Sequence, residues 1–238
     1  MAADFEKQEY WHKRFATETN FEWLSTSEEF MNILNDDEDF ASLDKSQKIL
    51  QIGCGTSDLH NWLRKHGFLN VLNIDYESLA IDRGKQLEKA VFRDVCMRYA
   101  VADATHLDLS EKFDFVLDKS TVDAISCGGE DAFLRMCHGV KDHLAPGGFW
   151  ISMSYSKWRF EVDGLPFNCQ EIAKIPTQKL RETDPDIFYH CYKLTPKNVY
   201  DVLRTERGNR GDLNSQSQIT TIEDSQSAVD RKEQNSLV

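Results

Sequence analysis

The sequence predicts an α/β protein with a seven-stranded, mostly parallel sheet, helices on both faces and an antiparallel strand near its C-terminal edge. Three observations lead there. Short apolar runs alternate with amphipathic helical stretches between residues 48 and 155, the rhythm of strand–helix–strand units. The first run, ILQIGCGTSDL (49–59), ends in Gly53 and Gly55 and then turns polar, as a strand does when it feeds a ligand-binding turn. Two later runs, CQEIAKI (169–175) and IFYHCYKL (187–194), are joined by an irregular loop. A strand pair without a crossover helix requires an antiparallel step.

The first section, EYWHKRFATETNFEWLSTSEEFMNIL, is rich in aromatic and acidic residues. It holds two helical patches, one over 4–16 and one starting at Thr26 or Ser27. NDDEDFASLDKSQ (35–47) reads as an acidic, polar connector. KILQIG (48–53) is a buried strand. In SDLHNWLRKHG (57–67) a helix places Leu59, Trp62 and Leu63 on one face and closes at Gly67. NVLNID (70–75) is a strand, ESLAIDRGKQLEKA (77–90) a helix despite Gly84, and MRYAVAD (97–103) and FDFVLD (113–118) are strands. EDAFLRMCHGVKDHL (130–144) is helical, and APGG (145–148) turns the chain into the strand FWISMSY (149–155). From about Thr205 the sequence is Ser, Gln, Asn and charge with few large apolar residues, which reads as a disordered tail. The expected division is an N-terminal helical segment (1–47), a core (48–204) and a polar tail (205–238).

With 238 residues, 40% of them hydrophobic, the chain suits one domain, or one domain and a tail. Six cysteines stand at 54, 96, 127, 137, 169 and 191 without a C-x-x-C pair. They read as mostly core filler in a reducing compartment, with no disulfide framework and no metal site. No apolar run is long enough to span a bilayer, which takes about 18 residues, and MAADFEKQEY lacks the basic and apolar regions of a secretory signal. A cytoplasmic protein is expected. The net charge of −12 argues against nucleic-acid binding, which relies on basic patches, and is compatible with a basic partner.

The glycine loop sits where open α/β sheets bind ligands, at the carboxyl ends of the strands. Asp75 ends the second strand, where a carboxylate can accept from a ribose diol. Asp103 ends the third, where it can meet an exocyclic adenine amine, with Ala104 against the ring. Together these outline an adenosine site. The third glycine of a dinucleotide fingerprint is replaced by Asp58, which would repel a pyrophosphate, and no Walker lysine follows. S-adenosyl-L-methionine, with no phosphate, a sulfonium and an amino group, suits an acidic, polar loop better.

ILQIGCGTSDL, NIDYES, VADAT, FDFVLDKSTVDAI and LAPGGFWISM resemble the successive motifs of class I, seven-stranded S-adenosylmethionine-dependent methyltransferases, a Rossmann-like fold. DKSTVDA is similar to the D/E-K-G-T-L-D-A signature of methyltransferase-like proteins that modify protein lysines, including those of elongation factor 1-alpha and citrate synthase. YWHKRF…FEW is similar to the N-terminal segment of the same group. The resemblance covers roughly residues 9 to 195.

The resemblance implies a cofactor site residue by residue. Trp11, Phe15 and Phe21 close over the cofactor from the N-terminal segment. Gly53 and Gly55 pass the methionine part, Asp75 takes the ribose with Tyr76 beside the adenine, and Asp103 and Ala104 meet the adenine edge. Lys119 lies near the methionine end. Asp118, Lys119 and Asp123 are the candidates near the transfer site, with no general base assigned. Phe15 and Phe21 stand where tyrosine is common in the family, Ser120 where it has glycine, and Gln51 where many of the wider superfamily carry an acid. Outside the resemblance, the four aromatics Trp11, Phe15, Phe21 and Trp23 read first as core packing on a docked N-terminal helix, while Lys119 also suits a salt bridge and Asp118 and Asp123 turn and cap roles.

The implied reaction is methyl transfer to a lysine amine of a protein substrate, by resemblance a translation factor. A small-molecule methyltransferase, or a binding module without turnover, are the alternatives.

Overall fold

The computed structural model describes residues 4–179 and 181–198. The tail expected over 205–238, and the core boundary at 204, lie outside the described residues. Seven strands form one sheet: β1 (Ile49–Ile52), β2 (Val71–Asp75), β3 (Arg98–Val101), β4 (Phe113–Lys119), β5 (Leu144–Ser154), β6 (Phe167–Pro176) and β7 (Phe188–Pro196). Their order is β3-β2-β1-β4-β5-β7-β6. Strands β1 to β5 pair in parallel, while β7 runs antiparallel to both β5 and β6. The sheet is therefore the predicted one, antiparallel step included.

The helices are α1 (Gln8–Phe15), α2 (Ser27–Asp36), α3 (Glu38–Ala41), α4 (Leu59–Lys65), α5 (Ser78–Phe92), α6 (Thr121–Ser126) and α7 (Glu130–His143). Strand alternation divides the core into two layers. Leu50, Ile52, Ile74, Val116 and Trp150 pack with Val122 of α6 and Phe133, Met136 and Val140 of α7. Ile49, Phe115, Leu117, Ile151 and Met153 pack with Phe30, Met31 and Leu34 of α2, Phe40 of α3, and Leu59 and Leu63 of α4. Each large side chain fully buried this way contributes about 1.5–3 kcal/mol. The central strands are buried on both faces, which explains their nearly continuous apolar runs, broken in β1, β2 and β4 by the buried Gln51, Asn73, Asp75 and Asp118 and the half-buried Asp114.

Local chemistry fixes the ends. Thr26 Oγ1 accepts from the Glu29 amide while the Glu29 carboxylate accepts from the Thr26 amide, a reciprocal cap that starts α2. Gly84 sits inside α5 because Tyr99 presses on it: a Cβ there would lie 2.8 Å from Tyr99 Cε1.

Three elements differ from the sequence reading. The connector 35–47 contains α3, capped by Asp37, whose Oδ1 accepts from the Phe40 amide at 3.0 Å; one buried phenylalanine among acids carried too little periodicity to announce it. Helix α6 falls in the stretch between the strand ending at Asp118 and the helix from Glu130, to which the sequence assigns no element; it is short and buries only Val122. APGG lies within β5 as a bulge, since Phe113 pairs with Leu144 but Phe115 with Phe149. At the far edge, β6 pairs, among the described residues, only with β7, and its register shifts between Glu171 and Ala173.

Candidate active site

β1 pairs with β2 on one side and β4 on the other, so the chain's crossovers diverge between β1 and β4, the place where such sheets open a crevice. A cavity of about 600 Å³ lies there. Its floor comes from the strand ends and the loops after them; its roof is α1 and the segment leading to α2.

The floor begins with the glycine loop. Gly53 and Gly55 have φ of +61° and +51°, where a Cβ is disfavoured. At Gly53 space also forbids one, because it would stand 2.2 Å from Thr121 Oγ1. Thr121 in turn donates to the Ile52 carbonyl at 3.0 Å, pinning the start of α6 to the end of β1.

Asp75 is held by the backbone. Its Oδ2 accepts from the Gly55 amide and its Oδ1 from the Glu77 amide, both at 2.9 Å. Burial pushes its carboxyl up to about 6, against these hydrogen bonds. At the end of β3, Asp103 Oδ1 accepts from the amide and hydroxyl of Thr105, each at 2.8 Å. Burial opposes its ionisation, but the Thr105 and His106 contacts outweigh it and hold the carboxyl below its usual range. Asp75, Tyr76, Asp103 and Ala104 all line the cavity, as do both glycines.

The roof is an aromatic cluster. Trp11 lies 5.9 Å from both Phe5 and Trp23 and 5.4 Å from Phe15, and Phe21 stands 5.2 Å from Trp23, centroid to centroid. All five rings line the cavity. Phe5 and Trp23 were not expected there; the aromatic spacing of YW…FEW was the available signal. Polar clips fasten the roof. Gln8 Nε2 donates to the Tyr76 carbonyl at 3.0 Å, His12 Nδ1 lies 3.0 Å from Glu77 Oε2, and Thr56 Oγ1 donates to Glu18.

The strongest clip involves a residue the sequence reading missed. Glu22 accepts from Ser57 Oγ, from the Asp58 amide at 3.0 Å, from Ser27 Oγ at 2.9 Å and from Lys119 Nζ at 2.5 Å. Burial pushes its carboxyl up, but the Lys119 ammonium and these donors outweigh it and hold it low. The Asp58 amide at the start of α4 is thus already taken, which is the structural form of the missing phosphate site. Asp58 itself does not line the cavity.

Of the transfer-end candidates, Lys119 and Asp123 line the cavity and Asp118 does not. The expectation for Asp118 is therefore corrected. Its side chain faces the core, fully buried, where Trp150 Nε1 donates to Oδ2 at 2.9 Å and the Val122 amide to Oδ1; alternation along β4 turns it away from the crevice. Burial raises its carboxyl to about 7. Asp123 is saturated: Oδ1 accepts from Arg159 Nε and Nη2 and from Ser154 Oγ, and Oδ2 from the Tyr155 amide at 2.8 Å. It ties α6 to the end of β5 and is not left to receive an incoming ammonium. Ser120, in the family's glycine position, has φ of +71°, the left-handed conformation that glycine takes without strain.

These residues fit S-adenosylmethionine. The buried Asp75 carboxylate lines the cavity, the basic side chains lining it among the described residues, Lys119 and Arg159, are paired with Glu22 and Asp123, and the buried Gln51 lines it with Oε1 unpartnered among the described residues, an acceptor for an ammonium. A family model described as "Methyltransferase domain" matches residues 50–152. The Neurospora crassa protein named Methyltransferase srdJ is 51% identical over 203 residues, covering 82% of this chain and 85% of that protein. The chain belongs to the class I S-adenosylmethionine-dependent methyltransferases. S-adenosylmethionine is the cofactor of this methyltransferase.

More distant relatives are named for their substrate. The mouse eEF1A lysine and N-terminal methyltransferase is 31% identical over 161 residues, 65% of this chain but 22% of that protein. Mouse EEF1A lysine methyltransferase 4 is 28% identical over 172 residues, 66% of this chain and 64% of that protein. Among solved structures, N-methyltransferase NodS from Bradyrhizobium japonicum, in complex with S-adenosyl-L-homocysteine, shares the fold with a TM-score of 0.58 at 16% identity, over 81% of this chain and 98% of that one.

Proposed function

We propose that this methyltransferase is a cytoplasmic protein-lysine N-methyltransferase acting on a basic protein partner, with a translation factor as the first candidate. The observation that carries the reading is its relatives named as eEF1A lysine methyltransferases, which align over 66% of this chain, together with DKSTVDA at the transfer end. The acidic charge of −12 suits such a partner.

In this reading Asp75 accepts from the ribose diol, Tyr76, Asp103 and Ala104 bound the adenine, and Gly53 and Gly55 let the backbone approach the methionine part. Trp11, Phe15, Phe21 and Trp23 exclude water from above. The cofactor supplies a methyl already activated on a sulfonium, so the protein's task is alignment and exclusion of solvent. A lysine amine, with an ordinary pKa of about 10.4, must enter neutral. Phe5, Ile125 and Tyr155 line the cavity with the transfer-end residues, and apolar surroundings favour the neutral amine. Asp123, held by Arg159, acts as a brace and not as a base.

The test is incubation of the purified protein with tritiated S-adenosylmethionine and a cell lysate, followed by hydrolysis of labelled proteins. Methyl-lysine is expected. Label confined to small molecules would replace this reading with a small-molecule acceptor on the same fold.

A further inference from the structure

The joint between the roof and the core is strained, and one buried cation holds it. Leu24 has φ of +64°, and the Ser25 amide donates to the Trp23 carbonyl at 2.7 Å. This is a three-residue turn centred on a non-glycine residue with positive φ, a conformation that is rare because it is costly. Immediately before it, Trp23 lines the cavity; immediately after it, Thr26 caps α2, whose Phe30, Met31 and Leu34 are in the core. The turn is where the roof meets the body of the protein.

Lys119 supplies what keeps the turn closed. Its Nζ donates to the Trp23 carbonyl at 2.9 Å and the Ser25 carbonyl at 3.1 Å, the two carbonyls flanking Leu24. The third contact is Glu22 Oε2 at 2.5 Å. An ammonium has three protons, and all three go to residues 22–25. The side chain is 5% exposed, so this is a buried charge committed to one turn. The same commitment leaves no N–H for a ligand in the cavity.

We infer that Lys119 is a positioning residue that latches the roof over the cofactor, acting through Glu22 and the turn at Leu24 and not by touching the cofactor. This rests on the cavity as the cofactor site and holds whichever acceptor the enzyme uses. Glu22 makes the inference testable, because it does not line the cavity and can affect a bound ligand only through the roof. Glu22→Gln keeps the side chain's shape and weakens the pairing; Lys119→Met keeps the stem and removes the charge.

The experiment measures S-adenosylhomocysteine release by stopped-flow tryptophan fluorescence, and trypsin cleavage at the exposed Lys13 of the roof without ligand. Both variants are expected to release ligand at least fivefold faster and to be cut at least fivefold faster when empty, with thermal unfolding confirming a folded core. Slower binding or weaker affinity in Lys119→Met alone, with the empty roof cut at the wild-type rate, would make Lys119 a direct ligand contact and overturn the latch. Unchanged release in both folded variants would overturn it as well. Should Lys119→Met fail to fold, Glu22→Gln decides alone by the same readouts. Failure of the wild-type protein to bind S-adenosylhomocysteine would overturn the cofactor site and the latch together, whereas methylation of a small molecule in place of lysine would leave the latch standing.

Discussion

Gly53 and Thr121 exclude each other's growth: a Cβ on the glycine would lie 2.2 Å from the threonine hydroxyl and 2.7 Å from its methyl. One residue ends β1 and the other begins α6, so the contact sets how closely the two walls of the crevice meet. Gly53→Ala is expected to lower stability by about 1–3 kcal/mol and cofactor affinity at least tenfold, through both the clash and the positive φ. Combining it with Thr121→Ala should recover part of the loss and leave the backbone term. Denaturant unfolding and calorimetry on the double-mutant cycle check this; strict additivity would remove the contact as the cause.

Asp75 gives the site a pH dependence with two opposite signs. Its folded-state carboxyl is raised to about 6 by burial, above the ordinary value near 3.9 of an unfolded chain. The stability linked to this group is therefore fully present below about 4 and is lost as pH rises through about 6. Cofactor affinity runs the other way, because the ribose needs an ionised acceptor, and it should fall as pH drops from 7 to 5. Asp75→Ala should weaken S-adenosylhomocysteine binding at least tenfold, about 1.4 kcal/mol, and Asp75→Asn should flatten the pH profile. Calorimetric titrations between pH 5 and 8 measure both.

Ser120 occupies a glycine conformation. Ser120→Gly relieves the left-handed backbone and gives up one long hydrogen bond to Asp123 at 3.3 Å. The expected net is a gain of about 0.5–1 kcal/mol, or ~1–4 °C in Tm. A fall in Tm would mean that the hydroxyl contributes more than the strain costs.

Asp118 belongs to the core. Asp118→Ala strands Trp150 Nε1 and the Val122 amide, and should cost about 2–4 kcal/mol in stability. The folded fraction should bind S-adenosylhomocysteine with wild-type affinity. A specific loss of binding without loss of stability would return Asp118 to the transfer site.

The central strands were legible because burial on both faces writes itself as nearly continuous apolar runs, β3 because it repeats the strand–helix alternation, and the strand-end residues Gly53, Asp75 and Asp103 follow from that register. Glu22 was not legible. Its partners Ser57 and Lys119 stand 35 and 97 residues away, and only the fold assembles them. Asp118 and Lys119 are neighbours in DKSTVDA, and the sequence could not say which of the two faces the crevice; β4 alternation decides it. Without the resemblance Trp11, Phe15, Phe21 and Trp23 read first as core aromatics, and they pack on one another while also covering the cavity.

The edge strand β6 bears on how a partner is met. Among the described residues its outer backbone groups have no neighbouring strand, yet the register shift at Glu171 and Ala173 bends it, Pro176 ends it, and Glu171 and Lys174 charge it. A bent, charged edge with a terminal proline resists the addition of a foreign strand. For the proposed protein substrate, capture by extending the sheet is therefore disfavoured, and recognition would fall to side chains lining the cavity, Tyr155 and Arg159 among them.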